Sequence, residues 1–239
     1  MTGTDLKKTR ILIVGVGGLG CPASTMLAEA GVSTLGLMDP DRVELSNLHR
    51  QMLSSESDLG HLKVEAASES LKKMWPSLKV NIIPEALNAS NVEKYLSQYD
   101  LIIDGLDRLE KKFFLNDWCV KLKKPFVHAG VVKFEGQVLP VIPGKTACLR
   151  CLIPKIPPPF AMPTCQEAGV LGSFSQAIGY LQAGEALKLL EGKGDLKLWK
   201  VNIQKEETRS MTPVRDPDCE ACGKDLAGKE IYDITCAVK

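Results

Sequence analysis

The segment Arg10-Ile-Leu-Ile-Val14 runs directly into Gly15-Val-Gly-Gly-Leu-Gly20, and this junction restricts the possible folds more than any other feature of the chain. A short run of β-branched and apolar residues suits a parallel strand covered on both faces. Gly15 permits the tight turn that follows such a strand, and Gly17 lets phosphates approach the backbone. Gly20 lets a following helix, expected over Pro22–Ala30 and stopped by Gly31, pack closely on the sheet. The start of that helix presents free N–H groups and a positive dipole end to an anion. Gly15, Gly17, Gly18 and Gly20 are therefore candidate nucleotide-binding residues. The turn itself does not distinguish NAD from ATP.

The same alternation continues downstream. Strands are expected at Thr34–Met38, Lys79–Ile83, Leu101–Asp104 and Pro125–Ala129, with helices at His61–Trp75, Asn91–Gln98 and Glu110–Lys121. This predicts an α/β fold with a Rossmann-like, doubly wound, largely parallel sheet. The character changes after Gly130: Val131–Val141 reads as a bent strand or hairpin broken at Gly136, and Ile153–Phe160, with four prolines, as an extended loop. Ser173–Glu191 is the longest helical candidate, and Leu196–Ile203 with Thr208–Val214 suggests a late antiparallel extension. The 239 residues suit one domain, with a nucleotide-binding part over 10–130 and a second part over 131–239.

Lys and Arg total 30 against 29 Asp and Glu, a balance that gives no support for a nucleic-acid or membrane surface. Met1–Thr9 is polar and the apolar run Ile11–Val14 is too short for a signal or a membrane span, so a cytoplasmic setting is expected. Thiols stay reduced there, and the pairs Cys148-Leu-Arg-Cys151 and Cys219-Glu-Ala-Cys222 then read as metal ligands before disulfides. Four sulfurs complete a tetrahedral, structural Zn²⁺ site, although four cysteines also suit an iron–sulfur centre. Cys165, in Pro163-Thr-Cys-Gln-Glu-Ala-Gly-Val170, reads either as a nucleophile or as an incidental loop thiol. His49, His61 and His128 are scattered, and no metal or catalytic role is assigned to them.

Asp39 ends the second strand at the spacing of an acid that hydrogen-bonds a ribose. The string Asp39-Pro-Asp-Arg-Val-Glu-Leu-Ser-Asn-Leu-His-Arg-Gln51 adds Asp41, Asn47 and Arg50, and Lys63 follows. Cations converging on this half of the crevice suit a triphosphate better than a dinucleotide.

The strings GVGGLG, DPDRVELSNLHRQ and GHLKVE closely resemble the ThiF/HesA/MoeB family of adenylating enzymes, relatives of the ubiquitin-activating enzymes, from about Arg10 to Gly223. The resemblance implies that Asp39 binds the ribose of ATP, that Asn47, Arg50 and Lys63 contact its phosphates, and that Asp107 acts with Mg²⁺. It supports zinc at the paired cysteines and places Cys165 where relatives carry a cysteine that attacks the adenylate or forms a sulfur-linked intermediate. It further implies a homodimer, and a small ubiquitin-like sulfur-carrier protein ending in Gly-Gly as partner, bound by the 131–239 part. The expected reaction is adenylation of the carrier's C-terminal carboxylate with release of pyrophosphate.

Two departures stand out. An arginine-bearing N-terminal segment common in the family has no counterpart in the nine residues before the first strand, and Asp107-Arg108 stands where relatives commonly have Asp-Asn. Arg108 is accordingly a candidate replacement for that arginine. The rival readings are an NAD-dependent oxidoreductase, carried by the glycine turn and Asp39, and a non-catalytic module that binds ubiquitin-like proteins on the same fold.

Overall fold

A computed structural model describes residues 5–155, 169–192 and 195–223. Its strands are β1 (Arg10–Val14), β2 (Thr34–Met38), β3 (Lys79–Ile83), β4 (Leu101–Asp104), β5 (Phe126–Val132), β6 (Glu135–Val141), β7 (Leu198–Asn202) and β8 (Glu207–Met211). The helices are α1 (Gly20–Glu29), α2 (Lys63–Met74), α3 (Val92–Ser97), α4 (Leu109–Lys121), the single turn α5 (Leu149–Leu152) and the long α6 (Gly172–Glu191). The strands form one sheet in the order β3-β2-β1-β4-β5-β6-β7-β8. The pairings from β3 through β5 are parallel, and those from β5 through β8 are antiparallel. This is the expected doubly wound sheet with an antiparallel C-terminal extension.

Alternation within the central strands explains why both faces are covered. In β1, Ile11 and Ile13 join one apolar cluster while Leu12 and Val14 join the other. In β4, Leu101 and Ile103 face the first cluster and Ile102 the second. Side chains two residues apart share a face, so a strand apolar at every position needs helices on both sides. The first cluster is covered by α1, α2 and α6, and the second by α3 and α4.

The structure differs from expectation at the edge of the parallel region. β5 continues to Val132, the chain turns at Lys133 (φ 53°) and Phe134, and β6 starts at Glu135. Gly136 does not break β6. A Cβ there would lie 2.5 Å from Ile178 Cδ1, so the glycine instead lets α6 lie close against the strand. Gln182 of α6 is fully buried and donates to the carbonyls of Asp104 (3.0 Å) and Val127 (2.7 Å), which ties the helix to the ends of β4 and β5. Among the described residues, no helix is long and apolar enough to cross a membrane.

Candidate active site

The carboxyl ends of the parallel strands open into a cleft of about 1110 Å³, bounded on its far side by β6, β7 and β8. The glycine turn forms its near wall. Gly15 adopts φ +93°, and a Cβ there would stand 2.6 Å from the Gly105 carbonyl oxygen. A Cβ on Gly20 would collide with the Gly15 carbonyl oxygen, so this glycine sets the close approach of α1. Nothing lies within 4 Å of the position a Gly17 Cβ would take, which leaves its backbone open to the cleft. Gly18 is wedged between Ser175 of α6 and the Arg50 side chain.

The polar residues expected after β2 gather on the same wall. Asp39, 7% exposed, accepts hydrogen bonds from the N–H groups of Val16 (2.8 Å) and Asp41 (2.9 Å). Burial raises its carboxyl above the ordinary value, against the opposing pull of Lys63 and these two donors. Asn47 is buried, and its amide oxygen accepts from the Arg50 guanidinium. Lys63 opens α2 with its ammonium 2.8 Å from the Asp41 carboxylate; Lys63 is buried and Asp41 is not. All of these residues line the cleft, as do Asp107 and Arg108 at its floor. Arg108 is half-exposed and 3.8 Å from Glu110. Gly20 serves packing and is not part of the lining. Cys165 lies outside the described residues.

A second polar group, whose Lys112 and His128 line the cleft while Asp104 does not, was not anticipated from the sequence. Asp104, at the end of β4, is 1% exposed. Its Oδ2 is 2.7 Å from His128 Nδ1, while Oδ1 accepts from Lys112 Nζ (3.1 Å) and from the Leu106 N–H (3.2 Å). Lys112 also donates to the Ala129 carbonyl at 2.6 Å. Burial pushes the Asp104 carboxyl up, but the Lys112 ammonium and His128 outweigh it and hold it below the usual range. Burial, which favours the neutral ring, lowers His128 below its ordinary value against the opposing pull of Asp104. The sequence does carry a signal for this group, since an Asp closes the apolar run Leu101-Ile-Ile-Asp104 and a His interrupts Phe126-Val-His-Ala129. A charge that ends a buried strand needs a buried partner.

The four paired cysteines meet on the face of the sheet covered by α3 and α4. Their sulfurs all lie within 4.8 Å of one another: Cys148 to Cys151 is 3.9 Å, Cys148 to Cys219 is 3.7 Å and Cys151 to Cys222 is 3.3 Å. A tetrahedral Zn²⁺ with bonds of about 2.3 Å spaces its sulfurs about 3.8 Å apart, so the donor set fits. The protons are shared unevenly within the cluster: hydrogen bonds, first that with Cys148, bring the Cys222 thiol down to about 5, while the bond to Cys222 raises Cys148 and burial raises Cys151, so a bound cation has to displace protons from these two. The first turn is held from behind, where Arg150 donates to both Asp117 oxygens (2.8–3.0 Å) and Asn116 accepts the Leu149 N–H. This cluster is not part of the cleft lining, and it brings 148–151 together with 219–222.

Comparison with known proteins decides the family, because the ThiF family matches residues 3–221. The chain belongs to the ThiF family. It is 39% identical to the sulfur carrier protein adenylyltransferase of Thermus thermophilus, over 95% of this chain and 87% of that protein. It is 36% identical to the adenylyltransferase and sulfurtransferase MOCS3 of Culex quinquefasciatus, over 98% of this chain and 55% of that protein. The chain thus spans about half the length of MOCS3. Among solved structures, Escherichia coli MccB with ATP superposes with a TM-score of 0.77 at 25% identity, over 91% of this chain and 68% of that one. The names of these relatives support the expected adenylyltransferase activity for this ThiF-family chain.

Proposed function

We propose that this ThiF-family protein uses ATP to adenylate the C-terminal glycine carboxylate of a small ubiquitin-like sulfur-carrier protein, releasing pyrophosphate. The observation that carries the reading is convergence: the open backbone of Gly17, the buried Asp39, the Asn47–Arg50 pair, Lys63 and Asp107 all line one cleft. Asp39 serves the ribose. Arg50 and Lys63 stabilise charge on the phosphates as the α-phosphate is attacked and pyrophosphate departs. Asp107 would hold Mg²⁺, which supplies further neutralisation of phosphate charge. The similarity to MccB, a protein crystallised with ATP, supports the choice of nucleotide.

The carrier tail lies along the wall formed by β6, β7 and β8, which the 131–239 part contributes. Cys165 then receives the acyl group: its thiolate attacks the adenylate carbonyl, forming a thioester and releasing AMP. A homodimer belongs to the same proposal. The zinc site clasps 148–151 to 219–222 and takes no part in the chemistry.

ATP–pyrophosphate exchange measured against a panel of Gly-Gly-ended small proteins tests the reading. Exchange must depend on the carrier, and Arg50→Ala must abolish it while the circular dichroism of the fold survives. Retained exchange removes Arg50 from the site. Binding of NADH in preference to ATP in a fluorescence titration would restore the oxidoreductase reading.

A further inference from the structure

Gln137 lies on β6 directly across from Gly130 of β5, and its Nε2 is 3.2 Å from His128 Nε2. The direction of that hydrogen bond follows from its neighbours. A carboxylate only accepts, so His128 Nδ1 donates its proton to Asp104. A neutral ring then has a lone pair at Nε2, and only the NH₂ end of Gln137 can donate to it. The burial that keeps His128 neutral supports this assignment. The amide is therefore locked with its oxygen turned away from His128, and that oxygen has no hydrogen-bond partner among the described residues. Gln137, His128 and Gly130 all line the cleft. A Cβ on Gly130 would stand 3.7–3.8 Å from Gln137 and His128, so the glycine leaves room for a group to rest in contact with this pair.

We propose that Gln137 reads the main chain of the acyl substrate, its amide oxygen accepting a hydrogen bond from an N–H of an extended tail laid over Gly130, with His128 and Asp104 as positioning residues. The proposal rests on the reading above that a carrier tail enters this cleft. Arg50, Lys63 and Arg108 are donors suited to phosphate or carboxylate. A neutral acceptor suits the N–H of a tail that has no side chains of its own. Asp104 couples this acceptor to the nucleotide end, because the oxygen that holds Lys112 also accepts the Leu106 N–H in the loop that bears Asp107.

The test uses full-length protein and semisynthetic carriers in which the tail N–H groups are replaced one at a time by ester oxygens. With the wild type, one ester position lowers kcat/KM of carrier-dependent pyrophosphate exchange by roughly tenfold, the worth of one hydrogen bond. Gln137→Leu lowers the parent value by a similar factor and no longer responds to that ester, while its KM for ATP stays within about twofold of wild type. His128→Phe loses the ester response in the same way. Equal ester responses in wild type and Gln137→Leu overturn the hydrogen bond and leave the adenylation reading intact. Absence of carrier-dependent exchange in the wild type overturns the adenylation reading and this proposal with it.

Discussion

Lys63 and Asp41 form a close ion pair of 2.8 Å at the mouth of the glycine-turn cleft, the lysine buried and the aspartate largely in water. The backbone reinforces it, since the Lys63 N–H donates to the Asp41 carbonyl at 3.0 Å. The start of α2 and the loop after β2 are thus joined at the pair that brings a cation into the cleft. Lys63→Ala should lower pyrophosphate exchange by roughly 10²-fold or more, the scale of losing one preorganised charge contact. Asp41→Asn keeps the ammonium and should cost far less. Steady-state exchange kinetics on the two variants check the asymmetry, and equal losses would mean that the ion pair matters more than the cation.

Arg108 lines the cleft beside Asp107 and pairs with Glu110 at 3.8 Å. A partly exposed pair at that separation is worth little, so the guanidinium can turn to an anionic ligand at small cost. Arg108→Asn should slow exchange by roughly tenfold if it acts on phosphate charge. An unchanged rate assigns Arg108 to the surface.

The cysteine cluster joins segments 71 residues apart in the chain. Mass spectrometry under native conditions should show one zinc per chain, and chelation should lower the unfolding midpoint. For a domain of this size, each 1 kcal/mol lost corresponds to roughly 2–4 °C. Cys219→Ser should reproduce the loss without a chelator. A metal-free protein with the same midpoint would deny the clasp its stabilising role.

Acid should weaken the fold through the Asp104–His128 pair. Burial depresses His128 in the folded chain below its unfolded value near 6.5. As pH falls through that value the unfolded chain takes up the proton more readily, so stability falls. Asp104 is also depressed, and its contribution, present above its unfolded value of 3.8, is lost only at lower pH. Between pH 7 and 5 His128 therefore contributes to the decline, together with the Cys222 thiol, which is held down at about 5 in the folded chain. His128→Asn should reduce the slope of the midpoint across that range in thermal melts without abolishing it, and an unchanged slope would place the titration elsewhere.

By itself the sequence determined the parallel sheet, the nucleotide turn and the paired cysteines. Each rests on local chemistry: apolar runs that need cover on both faces, glycines at a strand-to-helix turn, and thiols at a spacing that directs both at one ion. Asp39, Asn47, Arg50 and Lys63 were legible because they lie within 25 residues of one another, in an order that a resemblance could recognise. Only the tertiary structure decided the group Asp104, Lys112, His128 and Gln137. Its members come from β4, α4, β5 and β6, and each alone reads as a surface charge or a packed polar residue. Burial and pairing turn them into a network, and both are properties of strands brought side by side. Gly136 follows the same rule: along the chain it looks like a strand breaker, and against α6 it is the residue that lets helix and sheet meet.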